Sequence, residues 1–246
     1  MTKPLDHEFK YLEEYGKGEE IFLRPDRQDR SGDAWEKLLA LINQAVEEGW
    51  TEFAPGRMMP HDLWRQIKVL PNEIERLTQV THLFLYGSSL ERIPPHIGKM
   101  TSLKEFTPYT SYGLHWFPYE ITRCKNLVDS TVSTRALYGN YKNRPYFPDL
   151  TKAFNQVEYF GYTPTCSVCN KQVKNNEYRQ VWISLSVATD ILPLLANICS
   201  DVCLEALPTP PESYIQEPHQ GGIHQKQAIT FWEQVLNKYE DDDEVE

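Results

Sequence analysis

Four of the five cysteines in this sequence fall in two close pairs: Cys166 and Cys169 in "CSVC", then Cys199 and Cys203 in "ICSDVC". Thiols spaced in this way can form disulfides, act as a redox or nucleophilic pair, or hold a metal ion. The rest of the chain narrows the choice. The opening "MTKPLDHEFKYLEEYGKGEE" has no apolar stretch of signal-peptide length, and no run approaches a membrane span. The expected setting is a reducing cytoplasm, where paired cysteines are metal ligands or catalytic thiols more often than disulfides. With 246 residues, 40% of them apolar, and six Trp, fourteen Tyr and ten Phe, the chain can bury a sizeable core. A net charge of −10 argues against broad electrostatic attachment to nucleic acid or anionic lipid. Part of that charge lies in the terminal run "EDDDEVE", which reads as a solvated tail.

The first pair sits in "PTCSVCNKQV", a tight turn with polar residues on both sides. Two thiolates at this spacing can grip one ion while backbone N–H groups stabilise the sulfurs, the form of a zinc knuckle. "EYRQVWISLSV" alternates well enough for a strand, with Val181, Ile183 and Leu185 on one face. In "NICSDVCLEAL", Ser200 can cap a short helix that carries Cys203 in its first turn. Knuckle, strand and ligands at a helix start resemble the treble-clef zinc fingers. That resemblance implies one zinc ion on Cys166, Cys169, Cys199 and Cys203, structural because four thiolates leave no open position. His219 and His224 could replace a ligand, but four cysteines suffice and both read as ordinary loop residues. A redox dithiol would want a βαβ setting that this segment lacks, and a disulfide module conflicts with the missing signal peptide. Both stay open as alternatives. Fingers that read nucleic acid carry a basic stripe. Residues 164–207 offer Lys171, Lys174 and Arg179 against Glu177, Asp190, Asp201 and Glu205, so nucleic acid is not an expected partner.

The middle of the chain repeats itself. An apolar-Pro step recurs at Leu70-Pro71, Ile93-Pro94 and Phe117-Pro118, 23 and 24 residues apart. Each is followed in register by Ile74/Ile97/Ile121, Leu77/Met100/Cys124 and Val80/Leu103/Leu127. A fourth copy from Phe147 places Phe154, Val157 and Phe160 in the slots of Leu77, Val80 and Leu83. The pattern L-P-x-x-I-x-x-L-x-x-L-x-x-L-x-L resembles the leucine-rich repeat family over about residues 35–163. Two departures, Ser88 where the family ends its strand with Asn and Pro108 at a strand position, imply a short, irregular solenoid. Upstream, Trp35, Leu38, Leu39, Ile42, Ala45 and Val46 fall at helical spacing, with Asp33 as N-cap and Gly49 as stop. "WTEF" follows as a first strand. A helix here would cap the open end of a repeat stack, as bacterial members of the family often do.

In such repeats the residues between the inward positions face the concave surface, because strand side chains alternate. The outward set is His82, Phe84 and Tyr86, then Glu105, Thr107 and Tyr109, then Asp129, Thr131 and Ser133, ending near Tyr159 and Gly161. Phe84, Tyr86 and Tyr109 make an aromatic group where the family binds protein partners, and rigid aromatics are the usual interface anchors. The competing expectation is that these rings pack on the chain's own loops, such as 112–117. Bacterial ubiquitin ligases with such repeats carry a catalytic cysteine. Cys124, however, shares the slot of Leu77, Met100 and Phe154 and is expected to be buried and inert.

"LPTPPESYIQEPHQGG" (207–222) reads as a Pro-rich extended linker closed by a flexible Gly pair. Beyond it, Ala228, Phe231/Trp232, Val235 and Tyr239 fall along one helical face, expected to dock on the body. No phosphate-cradling glycine loop, H-E-x-x-H pair or G-x-S-x-G elbow occurs, so no enzyme is expected. The expected architecture is α/β. An N-terminal segment (1–34) precedes a short irregular leucine-rich repeat solenoid with its N-terminal capping helix (35–163). A small four-cysteine zinc-binding module (164–207) follows, then the linker, helix and acidic tail (208–246). The expected function is that of a soluble, cytoplasmic, bacterial-type interaction module. It would bind a partner protein on the concave face, and analogy with other acidic inhibitors suggests an inhibitor or immunity-type role. The alternatives are a thiol-based redox protein or other enzyme using the paired cysteines, and nucleic-acid binding through the finger.

Overall fold

The computed structural model describes residues 21–174 and 177–229. The predicted amphipathic helix forms as α1 (Asp33–Glu48), with Leu38, Ile42 and Ala45 buried and Ala34 and Leu41 beside them. Its N-cap is Gly32 rather than Asp33. Asp33 instead lies in the first turn with Glu36, where both carboxylates meet the positive end of the helix dipole. Gly49 ends the helix in a left-handed conformation (φ 67°) that places its N–H on Ala45 O. The first strand, β1 (Glu52–Phe53), follows, then two single turns, α2 (Pro55–Met58) and α3 (His61–Trp64).

Each apolar-Pro step then opens a 3-10 turn: Asn72–Arg76, Pro95–Lys99 and Tyr119–Arg123. Pro71, Pro94 and Pro118 occupy the N-cap positions at φ −69°, −74° and −68°, where a fixed φ is pre-set and no N–H is needed. Each turn leads back into a short strand: β2 (His82–Phe84), β3 (Glu105–Thr107) and, after β4 (Phe117–Pro118), β5 (Asp129–Ser130). Strands β1, β2, β3 and β5 pair in parallel, and the register aligns Glu52, His82, Glu105 and Asp129 across the sheet. Beneath them, Ile74, Ile97 and Ile121 stack with no exposure, together with Leu77, Met100 and Cys124. Cys124 fills its core slot as expected. Its thiol donates to Ile97 O (3.2 Å), and burial pushes its pKa up to about 12.

The turns at the carboxyl ends of the strands are tied by hydroxyls. Ser88 Oγ and Ser111 Oγ lie 2.6 Å apart, and Ser111 Oγ donates to Leu85 O. Gly87 N–H donates to Thr110 Oγ1, and Thr110 N–H donates to Ser133 Oγ one repeat further on (2.9 Å each). Serine and threonine hydroxyls therefore satisfy part-buried turn amides.

The fourth copy of the motif departs from the others. Residues 147–161 add no strand to this sheet, and Phe154 (56% exposed) and Phe160 (69%) point outward where Leu77 and Leu83 point inward. Val157 alone is buried as its slot predicts, and Tyr159 packs with Trp116 and Tyr162 away from the sheet face. The reason is that another element already covers the last repeat. The predicted strand 177–187 forms as β6 (Arg179–Val187) and pairs antiparallel with β7 (Asp190–Ile198), and β7 pairs parallel with β4. Ile183, Leu185, Val187, Leu192 and Leu194 join the main core. At the hairpin tip, Thr189 Oγ1 donates to Ser130 O (2.8 Å) and accepts from Ser130 N–H (3.0 Å), which closes the edge of β5.

A second cluster forms on the other face of the hairpin, where Trp182 packs against Trp116, Tyr138 and Phe147. The Pro-rich segment, expected as an extended linker, turns at 211–214 and is bound to the body. Trp182 and His219 exchange backbone hydrogen bonds (2.7 and 3.0 Å), and His219 stacks edge-on to Phe147. The Gly pair is there for contact rather than freedom. A Cβ on Gly221 (φ 78°) would lie 2.2 Å from Pro148 O. The predicted C-terminal helix and acidic run lie, from residue 230 on, outside the described residues. No helix among the described residues is long and apolar enough to cross a membrane.

Candidate metal centre and exposed sheet face

The four paired cysteines converge. Their sulfurs all lie within 4.8 Å of one another, and none is in a disulfide. The first pair is presented by a tight hairpin: Cys166 N–H donates to Lys171 O, Asn170 N–H to Cys166 O, and Thr165 bridges Gln172. Asn170 takes the positive φ (61°) that such a turn requires and that Asn tolerates better than most side chains. The second pair follows β7. Ser200 caps α4 (Asp201–Glu205) as predicted, its Oγ accepting from Cys203 N–H at 3.3 Å, which sets the last sulfur one turn from Cys199. His219 packs elsewhere and does not belong to the cluster.

The electrostatics suit a cation. Burial alone would raise the Cys166 thiol. The backbone N–H groups of Cys169, Cys199 and Val168, helped by the Cys199 thiol, bring it down to about 7. Cys199 moves the other way, up to about 12. Its proton is shared first with Cys166, and burial and the Cys169 and Cys203 sulfurs push in the same direction. Four sulfurs this close cannot all ionise against their mutual repulsion, whereas a divalent ion among them would permit four thiolates. The cluster is thus positioned to bind a metal ion.

Behind it lies a buried carboxyl that the sequence did not flag. Ser167, between the first two cysteines, donates its hydroxyl to Glu120 Oε1 (2.7 Å) and accepts from Asn197 N–H (2.9 Å). Arg123 donates to Ser167 O (3.0 Å) and stands 3.7 Å from the same carboxylate oxygen. The third 3-10 turn, the cysteine knuckle and β7 are therefore joined through one serine. Burial raises the Glu120 pKa above 4.5, against the opposing pull of Ser167, its own backbone N–H and Arg123. An acid raised on folding holds more protons in the native state, so its contribution to stability falls as pH climbs from 4.5 through the native value. Glu120→Gln keeps an acceptor for Ser167 and removes the charge. It is expected to melt no lower than wild type at pH 7 and to flatten the decline above pH 4.5, as chemical unfolding across pH would read. Glu120→Ala strands the Ser167 hydroxyl and is expected to cost about 1–3 kcal/mol.

The predicted outward residues of the first two copies, with Asp129 and Thr131 of the third, share the exposed face of the parallel sheet. Tyr86 (61% exposed) and Tyr109 (45%) sit side by side with ring centroids 6.0 Å apart. Phe84 lies in the row beside them, stacked with His82 and covered by the Arg57 guanidinium at 5.0 Å. Tyr86 and Tyr109 pack on each other, and Phe84 packs on His82 and Arg57. His82 joins Thr81 and Glu105 through its two ring nitrogens (2.8 and 2.9 Å), and Arg57 pairs with Glu52 at 2.8 Å. Thr107 is half-buried, and Thr131 and Asp129 are exposed. The Asp129 carboxylate also accepts from Thr189 at the hairpin tip (3.2 Å). Tyr159 and Gly161 do not reach this face. Arg57 does, although sequence spacing could not place it there because it precedes the repeats. No protein-family model matches the chain, and a search of curated proteins found no match.

Proposed function

We propose that this chain is a non-catalytic recognition module that holds a partner protein on the exposed sheet face. Its architecture is a short, irregular leucine-rich repeat solenoid with one structural zinc ion at its C-terminal end. The observation that carries the functional reading is the pair of exposed tyrosines beside Phe84 on a face built of parallel strands. Such rings anchor interfaces because they bury much area and lose little side-chain freedom. Glu52, Glu105 and Asp129 run alongside them in one register, so the partner that fits is a basic surface with an apolar centre. An inhibitor that masks a basic protein has this chemistry. The repeat reading is supported by strands stepping at 23 and 24 residues and by the contact of Ser88 with Ser111, 23 residues on, at the same turn of the next copy. Zinc is favoured by geometry: tetrahedral Zn–S bonds of about 2.3 Å put sulfurs about 3.8 Å apart, and Cys199 Sγ lies 3.7 Å from both Cys169 and Cys203.

The test is capture of partners from the source organism by wild type and by a Phe84→Ala, Tyr86→Ala, Tyr109→Ala variant with unchanged metal content. Three anchors at about 2 kcal/mol each predict at least a hundredfold loss of affinity for a stoichiometric partner. Equal recovery by both proteins would remove the sheet face from consideration. The second reading, dithiol chemistry in a metal-free protein, uses the same four free sulfurs, and metal content separates the two.

A further inference from the structure

The four sulfurs of the cluster do not stand in equivalent places. Cys166 and Cys203 are buried against Val181, Ala196 and Ile198. Cys166 is also fixed through its backbone, its N–H donating to Lys171 O (2.8 Å) and its carbonyl accepting from Asn170 N–H (2.9 Å). Cys203 is held in the first turn of α4 by the Ser200 cap. Cys169 is exposed and Cys199 half-buried, so these two form the solvent side of the site. Neither lies in a helix or strand: Cys169 belongs to the knuckle turn, and Cys199 is the first residue after β7. Their Sγ atoms are 3.7 Å apart. A disulfide needs about 2.05 Å, a closure that side-chain torsions at two loop positions can supply.

An oxidant reaches accessible thiolates first, and a sulfur in contact decides which disulfide follows. We propose that Cys169 and Cys199 are an oxidation site, at which hydrogen peroxide converts this outer pair to a disulfide and releases the metal. The proposal rests on the reading of the cluster as a zinc site. The Cys169 thiolate attacks one peroxide oxygen and the O–O bond breaks. One oxygen stays on Cys169 as a sulfenic acid, and the other leaves as hydroxide. The Cys199 thiolate then attacks the Cys169 sulfur. The S–S bond forms, the S–O bond breaks and a second hydroxide leaves. Two electrons pass from the sulfurs to the peroxide, and two protons from solvent turn both hydroxides into water. Only Cys166 and Cys203 then remain for an ion that takes four donors. The new bond joins the knuckle to the end of β7, the same two segments that the ion would join, 30 residues apart. Metal is lost while the crosslink stays. Cys124 takes no part, because it is buried in the repeat core with its thiol on Ile97 O.

The full-length, zinc-loaded protein would be titrated with hydrogen peroxide beside a chromogenic zinc chelator, then unfolded, alkylated and mapped by mass spectrometry. One zinc released per peroxide consumed is expected, with a single link between the peptides that carry Cys169 and Cys199. Cys124, Cys166 and Cys203 should be recovered alkylated. The oxidised protein should melt between the zinc-loaded form and the reduced, metal-free form, and dithiothreitol with added zinc should restore the first. Cys169→His keeps a donor set common at structural zinc and removes the exposed thiol, so peroxide should release its zinc about tenfold more slowly, or more slowly still. If that variant takes up no zinc, the peptide map of wild type decides alone. A link within either close pair, Cys166–Cys169 or Cys199–Cys203, overturns the proposal. So does zinc that stays bound under excess peroxide, or a histidine variant that releases it at the wild-type rate. If the wild-type protein takes up no zinc, that failure belongs to the metal reading, and the map of the peroxide-treated, metal-free chain still tests the pair.

Discussion

A Cys169→Ser, Cys199→Ser variant is expected to purify without metal and to melt far below wild type. These two positions isolate the metal's contribution. Cys169 is exposed and Cys199 half-buried, so serine there strands no hydroxyl in the core, unlike at the buried Cys166 or Cys203. Structural zinc supplies roughly 10–16 kcal/mol of apparent binding energy to fingers that cannot fold alone. Here the ligand-bearing segments have other support, since β6 and β7 reach the main core and Ser167 is tied to Glu120. The expected loss is accordingly smaller, on the order of 5 kcal/mol, which is still the scale of a whole domain's stability. Elemental analysis should find one zinc per chain in wild type and none in the variant. A chelator should reproduce the shift in melting temperature in wild type and leave the variant unmoved. Metal-free wild type with fast-reacting thiols would replace the staple by a redox dithiol.

The local pattern of the repeats was legible because each slot has one dominant constraint. An Ile that recurs with nothing around it but other repeats must stack, and Ile74, Ile97 and Ile121 do. Ser200 was legible as a cap for the same reason, since a serine before "DVC" has a helix amide to satisfy. The failures come from competition between distant segments. Phe154 and Phe160 match core slots in sequence, but the tip of the β6–β7 hairpin closes the edge of β5 where a fifth strand would pair. That hairpin was half hidden. "DILPLLANI" is buried on both faces and shows no alternation, and Pro193 argues against a central strand. It is tolerated because β4 pairs only with Leu194 and Leu195, leaving the position beside it open. Glu120 gave no signal, because nothing local distinguishes a glutamate in a 3-10 turn from its solvated equivalent Glu73. Only the fold brings Ser167 to it.

Trp182→Ala is expected to cost about 3–5 kcal/mol, the range for deleting a large buried aromatic. Trp182 has no exposed surface, and its ring lies 5.7 Å from Trp116, 6.0 Å from Tyr138 and 5.7 Å from Phe147. Its Nε1–H donates to Pro148 O at 2.9 Å. Removing it opens a cavity among rings that cannot collapse, because each is held by a different segment of backbone. The effect should not stay local. Ile183 and Val181, either side of Trp182 in β6, face the opposite way into the main core and the cysteine cluster. The same strand therefore transmits the loss in both directions. Thermal unfolding should show one cooperative transition shifted downward, and the metal should become easier to extract. Proteolysis should begin in the strap around His219, whose backbone pairs with Trp182. Trp182→Phe keeps most of the ring packing and gives up the Nε1 bond, so its cost should be about half that of alanine or less. A variant that split the melt into two transitions, with metal retention unchanged, would mean that residues 164–222 fold independently of the repeats.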